Sequence, residues 1–211
     1  MYKYRDEYGT QSTRPPVLDP YENLIWLAKP KKHAFVLNKV LGMMPLALLW
    51  LAFDSFFIVQ MVDIGGSMLA FTAIFMLLHL MPVWIWLGNV ITANRRWQNT
   101  VYYVTDKRIL IQSGFVDQEL QTVYYKDVRN VTLKIGLIDK LLGVGDIHFD
   151  LGDYYSNQRV RALTKSFLDV DKPHETYAMI QKIVMDIQSD IEYPNAYRPE
   201  ENPGYNTQYR G

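Results

Sequence analysis

VLGMMPLALLWLAFDSFFIVQMV, residues 40–62, and SMLAFTAIFMLLHLMPVWIWLGNVITA, residues 67–93, decide how this chain is built. The first run holds one charge, Asp54, and the second holds none, with a single histidine, His79. About 20 apolar helical residues cross a bilayer core, so both runs have the length of a membrane span. A soluble helix keeps a polar face. Leu46–Phe53 and Phe71–Leu78 do not, being apolar on every side apart from Thr72. The link Asp63-Ile64-Gly65-Gly66 reads as a tight turn, which makes the two helices antiparallel neighbours.

Working outward, the turn carries no Lys or Arg, while Lys29, Lys31, Lys32 and Lys39 precede the hairpin and Arg95 and Arg96 follow it. The positive-inside bias then puts both termini in the cytoplasm of a bacterial-type inner membrane, with anionic lipid as a partner of this basic collar. Trp26, Trp84, Trp86 and Trp97 are candidates for an interfacial aromatic belt, Trp97 being the best placed. The first run starts too late for the apolar core of a cleaved signal peptide.

Asp54 and His79 stand about 10 and 14 residues from the centre of the turn, a depth difference of about 6 Å at 1.5 Å per residue. Ionisable groups at such depth pair with each other or mark a functional path. Two readings follow. In the plainer one Asp54 is protonated or hydrogen-bonded and sets helix packing. In the sharper one the pair moves protons, or His79 ligates a metal or pigment. No motif calls for a cofactor, although a bound lipid or pigment is compatible with the apolar helices.

Composition narrows the rest. The chain has 211 residues, 22 basic and 22 acidic, and no cysteine. A disulfide scaffold, a thiolate zinc site and a cysteine nucleophile are excluded. Balanced charge argues against a nucleic-acid binder, which carries a broad basic excess. The balance is uneven in space: residues 1–39 carry seven basic and four acidic groups, so the positive excess sits beside the hairpin.

After residue 100 the pattern changes to short β-rich runs. Thr100–Thr105 and Arg108–Gln112 flank the turn pair Asp106-Lys107, and Leu120–Tyr125, Asn130–Ile135, Gly145–Leu151 and Arg159–Leu163 follow. Gly136–Gly143 encloses a short helix or turn. Lys172-Pro173 opens a final helix with an apolar stripe of Tyr177, Ile180, Val184, Ile187 and Ile191. This predicts an α+β protein in which a transmembrane hairpin precedes an antiparallel sandwich or barrel capped by a helix. The parts are an N-terminal cytoplasmic tail and juxtamembrane segment over 1–39, the hairpin over 40–93 and a cytoplasmic domain over 100–192. A Pro/Tyr-rich tail, suited to lying along a partner, covers 193–211.

Residues from about Val101 to Asp171 resemble the bacterial pleckstrin-homology-like domain. The likeness is carried by Tyr103-Val104-Thr105-Asp106-Lys107-Arg108-Ile109, Gly114, Asp127-Val128, Gly136-Leu137 and Leu141-Leu142-Gly143-Val144-Gly145-Asp146-Ile147. The resemblance implies a binding or scaffolding module, not an enzyme, often preceded by a membrane hairpin. Eukaryotic relatives of the fold bind inositol phospholipids through a basic loop between their first two strands. The corresponding link here reads as only Asp106-Lys107 beside Arg108, with no site for a multiply phosphorylated head group.

Catalytic and ligand motifs are missing elsewhere. Gly143-Val144-Gly145 lacks the third glycine and following helix of a nucleotide loop. His33, His79, His148 and His174 have no ligand spacing. Asp146, Asp150 and Asp153 read as a solvated strand face and turn before they read as a weak cation site. The leading expectation is an accessory or assembly subunit whose partners are integral membrane proteins of a larger complex. The alternatives are a membrane-anchored lipid or peptide sensor, and an oligomeric proton- or ion-linked element using Asp54 and His79.

Overall fold

The computed structural model describes residues 17–19, 21–61, 68–156 and 159–192. The turn expected at 63–66 and the tails at 1–16 and 193–211 lie outside the described residues. What is described falls into two units, Lys32–Gln98 and the segments on either side of it.

The flanking segments build two antiparallel sheets. The first runs in the order β1 (Leu24–Ala28), β2 (Val101–Thr105), β3 (Arg108–Ser113), β4 (Glu119–Tyr124). The second runs β5 (Asn130–Lys134), β6 (Val144–Ser156), β7 (Arg159–Asp171). Both sheets face one core, to which Tyr102, Val104 and Ile111 contribute from the first and Ile147, Phe149 and Phe167 from the second. Helix α5 (Pro173–Glu192) adds Ile180, Val184 and Ile187. Its proline at the first helical position has its ring angle preset for the turn and loses no needed donor. Ile191, expected on the same stripe, is 39% exposed at the helix end. The result is the expected mixed α+β arrangement, with two separate sheets.

The first strand overturns part of the N-terminal reading. Leu24–Ala28 was expected within a tail but pairs with β2, Trp26 opposite Val104 and Ala28 opposite Tyr102. An irregularity between Leu24 and Trp26 shifts the alternation. Trp26 packs on the core with its ring stacked 5.9 Å from Phe167, while Leu24 and Leu27 pack with Leu18, Tyr103 and Leu110 on the sheet's other side. Trp26 is thus half-buried against the core of the sheet domain. The same strand changes the loop numbering: Asp106-Lys107 joins β2 to β3, and the link between the first two strands is the whole helical segment.

The strands β6 and β7 also run further than their apolar runs suggest, pairing from Val144 opposite Asp171 out to Ser156 opposite Arg159. Asp153, expected in a turn, sits in β6 opposite Ala162. Between β5 and β6 stands the short helix α4 (Leu137–Leu142).

The helical unit is α1 (Lys32–Met61), α2 (Met68–His79) and α3 (Met81–Gln98). Helix α1 begins eight residues before the apolar run, and its stretch Lys32–Phe57 is long and apolar enough to cross a membrane. The second run is not one straight helix. It breaks at Leu80 with a bend of 57° and reaches membrane-crossing length only if both pieces are counted together. Pro82 has no N–H to give to the preceding turn, and the backbone restarts with Val83 and Trp84 both bonding the Leu80 carbonyl.

Candidate functional site

The break exposes carbonyls that a continuous helix would satisfy, and two tryptophans answer them. The Trp50 indole donates to the His79 carbonyl at 2.9 Å, and the Trp84 indole donates to the Leu77 carbonyl at 2.9 Å. Backbone groups in an apolar setting are costly when unpaired, so side-chain donors at a break stabilise it. Trp86 donates to the Val40 carbonyl at 2.8 Å and so ties α3 to α1. Trp84 and Trp86 were read as belt candidates; each is engaged within the helical unit. The Lys32 ammonium lies 5.1 Å from the Trp97 ring centre, a cation–π distance.

Trp50 and Asp54 are four residues apart on one face of α1. Asp54 Oδ1 lies 3.0 Å from His79 Nδ1 at the end of α2. The Asp54 side chain is 1% exposed and the His79 ring 30% exposed. His79 is also flanked by the rings of Trp50 and Phe75, each at 5.2 Å. Asp54 Oδ2 is buried and has no hydrogen-bond partner among the described residues. The two polar groups foreseen at similar depth therefore meet, at the point where the second run is broken. Sequence reasoning missed Trp50, although its i−4 spacing from Asp54 was the available signal. Such an arrangement joins the Asp54 carboxyl group to the His79 ring by one hydrogen bond across two helices.

The basic residues divide. Lys31 donates to the Leu142 carbonyl at 3.0 Å and pairs with Asp171 at 3.1 Å, so it belongs to the sheet domain. Lys29 and Lys39 are half-buried, and Lys39 lies 5.6 Å from the Phe35 ring centre. Arg95 and Arg96 stand exposed in the last turn of α3, where cations suit the carbonyl end of a helix.

The family-motif residues prove structural. The Thr105 hydroxyl donates to Glu22 Oε1 at 2.7 Å and accepts from the Arg108 N–H at 3.0 Å. Arg108 grips Glu22 with two charge-assisted bonds of 3.0 Å, and Asp106 accepts from both the backbone and the side chain of Asn23 at 2.8 Å. Glu22 is 3% exposed. Burial alone would raise its carboxyl pKa, but the bonds from Arg108 and Thr105 outweigh that and hold it below 4.5. Thr105, Asp106 and Arg108 thus fasten the segment before β1 to the β2–β3 turn, and Arg108 is not a free cation beside that turn.

The glycines of the motif serve close turns. A side chain at Gly114, with φ +144°, would meet the Asp117 carbonyl at 1.8 Å. Gly143 ends α4 in the left-handed region at φ 66°, its N–H on the Asp139 carbonyl. Gly136 opens α4, its N–H on the Asp139 carboxylate at 3.0 Å. Gly145 lies against Pro173, which a Cβ would approach to 2.9 Å.

On the second sheet, Asp146 accepts the Asp169 N–H and Asp150 the Gly152 N–H, both at 2.9 Å, so each braces local backbone. His148 Nδ1 meets Ser166 Oγ at 2.6 Å across β6 and β7. A nucleophile's base is oriented through its other nitrogen by a third group. His148 Nε2 is buried with no partner among the described residues, so this pair lacks that element.

A helical segment set between the first and second strands of a two-sheet domain defines the class of protein. Its family follows from comparison: residues 41–184 match the family model described as the bacterial PH domain, and the chain belongs to that family. The match begins inside α1, upstream of the motifs that carry the resemblance, and excludes β1. No curated protein and no solved structure matches the chain.

Proposed function

We propose that this chain is a non-enzymatic, membrane-anchored PH-domain protein serving as an accessory or assembly subunit that stabilises a larger membrane complex. The complex would be respiratory, photosynthetic or transport-related. The observation that carries this reading is the way the domain is split. β1 leads into α1 through three residues, and α3 leads into β2 through two. A domain tethered at both ends of a hairpin by such short links has little reach, which suits clamping a fixed neighbour more than searching for a distant one.

In this reading α1 is one span and the bent α2–α3 pair is the second. The basic flanks keep both termini cytoplasmic. Exposed Leu49, Phe56, Val59, Phe71 and Ile74 supply helix surface for lipid and for neighbouring membrane helices. Mild-detergent extraction from the native membrane followed by mass determination tests it. Co-purifying integral membrane proteins are the expected result; a monodisperse particle of this chain alone overturns it.

A second reading rests on the 3.0 Å Asp54–His79 contact. Oligomers of the chain would move protons or ions past this pair, since two helices cannot enclose a pathway. Replacement of Asp54 with Asn then abolishes transport by the native complex. Unchanged transport and assembly would remove the reading.

The lipid head-group sensor draws less support, because Arg108 is spent on Glu22.

A further inference from the structure

His79 uses only one of its ring nitrogens. Nδ1 meets Asp54 Oδ1 at 3.0 Å, and Nε2 makes no hydrogen bond among the described residues. The His79 side chain is 30% exposed and that of Asp54 1% exposed, so the imidazole stands between a buried carboxyl group and the surface of the helical unit. The rings of Trp50 and Phe75 flank it at interplanar angles of 31° and 26° and hold its plane. Phe71, Phe75 and His79 recur every four residues on one face of α2, with Phe71 68% exposed and Phe75 46% exposed. The unused nitrogen therefore stands at the end of an exposed aromatic stripe.

A metal-bound histidine has these surroundings. A ligating imidazole donates its other N–H to a carboxylate, which fixes the tautomer and makes the nitrogen facing the metal more basic. Helix packing alone leaves Asp54 Oδ2 unexplained, since it is buried without a partner among the described residues. An unpaired carboxylate in an apolar setting is costly. A metal on Nε2 places positive charge across the ring from it. The site is short of further donors, however. Among the described residues no group of three or more His, Cys, Asp or Glu side chains could hold a metal ion. A bare ion such as zinc takes about four ligands in a structural protein site. The metal must then arrive with its own donors. A tetrapyrrole encloses the metal in its ring nitrogens and takes an axial histidine from the protein. Its flat aromatic body also suits exposed phenylalanine rings.

We propose that His79 Nε2 is the axial ligand of a metallated tetrapyrrole lying against the Phe71 and Phe75 side of α2, with Asp54 as the positioning residue behind it. The site is complete within the helical unit and depends on neither reading above. Full-length protein in mild detergent is titrated with ferric protoporphyrin IX and with zinc protoporphyrin IX while the Soret band is followed. The expected result is a saturable red shift. His79→Gly should lose the shift and regain it when imidazole is added, which separates ligation from folding. A response to the iron macrocycle assigns a haem; a response to the zinc macrocycle alone assigns a pigment with a closed-shell metal, and either supports the ligation. Asp54→Asn keeps an acceptor for Nδ1–H and removes the charge. It should weaken binding about 10- to 100-fold and lower the iron–histidine stretching frequency of the ferrous haem complex. Unchanged affinity and frequency would remove Asp54 from the site. No shift with either macrocycle overturns the proposal, as does an equal shift in His79→Gly without imidazole, which would mean partition into the apolar surface. Zinc chloride bound as tightly as zinc protoporphyrin, with the same dependence on His79, also overturns it.

Discussion

Arg108 shows how little a side chain's role is visible from its neighbours in the chain. Beside a turn it reads as an available cation, yet it closes on Glu22, 86 residues earlier, in a pair that is mostly buried. Removing one partner of such a pair leaves the other uncompensated, at a cost of about 3 kcal/mol or more. Glu22→Ala is expected to destabilise the domain by about that amount, read from thermal or urea unfolding. The pH dependence has a definite sign. Glu22 sits below its ordinary 4.5 when folded, so its contribution is complete above pH 4.5 and is lost as pH falls through the folded value. Glu22→Gln should flatten that acid limb. Asp146 behaves oppositely: burial raises it above 3.8, so stability falls as pH rises from 3.8 through its folded value. Asp146→Asn, which keeps an acceptor for the Asp169 N–H, should leave stability at neutral pH unchanged or improved. A loss there would contradict the account.

Among the elements, the broken second run is the most informative. Its lack of charge is plain in the sequence, but its bend follows from Pro82 and from which donors are near enough to serve the released carbonyls. Trp50→Phe keeps an aromatic ring and removes the indole donor to His79. It should cost about 1 kcal/mol, seen as a lower unfolding midpoint in detergent; an unchanged midpoint would mean the indole does not secure the break. Two glycines offer a contrast. Gly143→Ala meets only the flexible end of Lys31 at 4.0 Å but keeps φ at 66°, for a cost of about 1 kcal/mol. Gly114→Ala has a carbonyl in the way and should cost more, with the β3–β4 turn rearranged; unfolding midpoints of the two variants decide the order. Asp54 and His79 were legible as a pair because depth in a helix scales with residue count. Their third member was not, since a tryptophan in an apolar run is as ordinary as a phenylalanine until a free carbonyl faces it.

Across the molecule, the domain is discontinuous, and this has a direct consequence. Ala28 and Tyr102 are paired across β1 and β2, so the ends of the helical segment meet on neighbouring strands. Replacing Lys32–Gln98 with a short Gly/Ser linker should give a soluble unit that unfolds cooperatively in urea. A fragment starting at Asn99 lacks β1 and the Trp26–Phe167 stack, and should unfold at lower denaturant or fail to fold. Equal stability of the two would make β1 dispensable. Much of the architecture was readable in advance: apolar run length, strand alternation and the α5 stripe are local, so the residue order alone establishes a helical apolar segment, a β-rich domain after it and the motifs of a bacterial PH domain. The membership of Leu24–Ala28, the packing of Trp26 against the core, the pairing of Arg108 with Glu22 and the exposed leucines of α4 needed the folded chain. Each depends on which residue lies opposite across tens of intervening positions, and a strand's partner leaves no mark on its own periodicity.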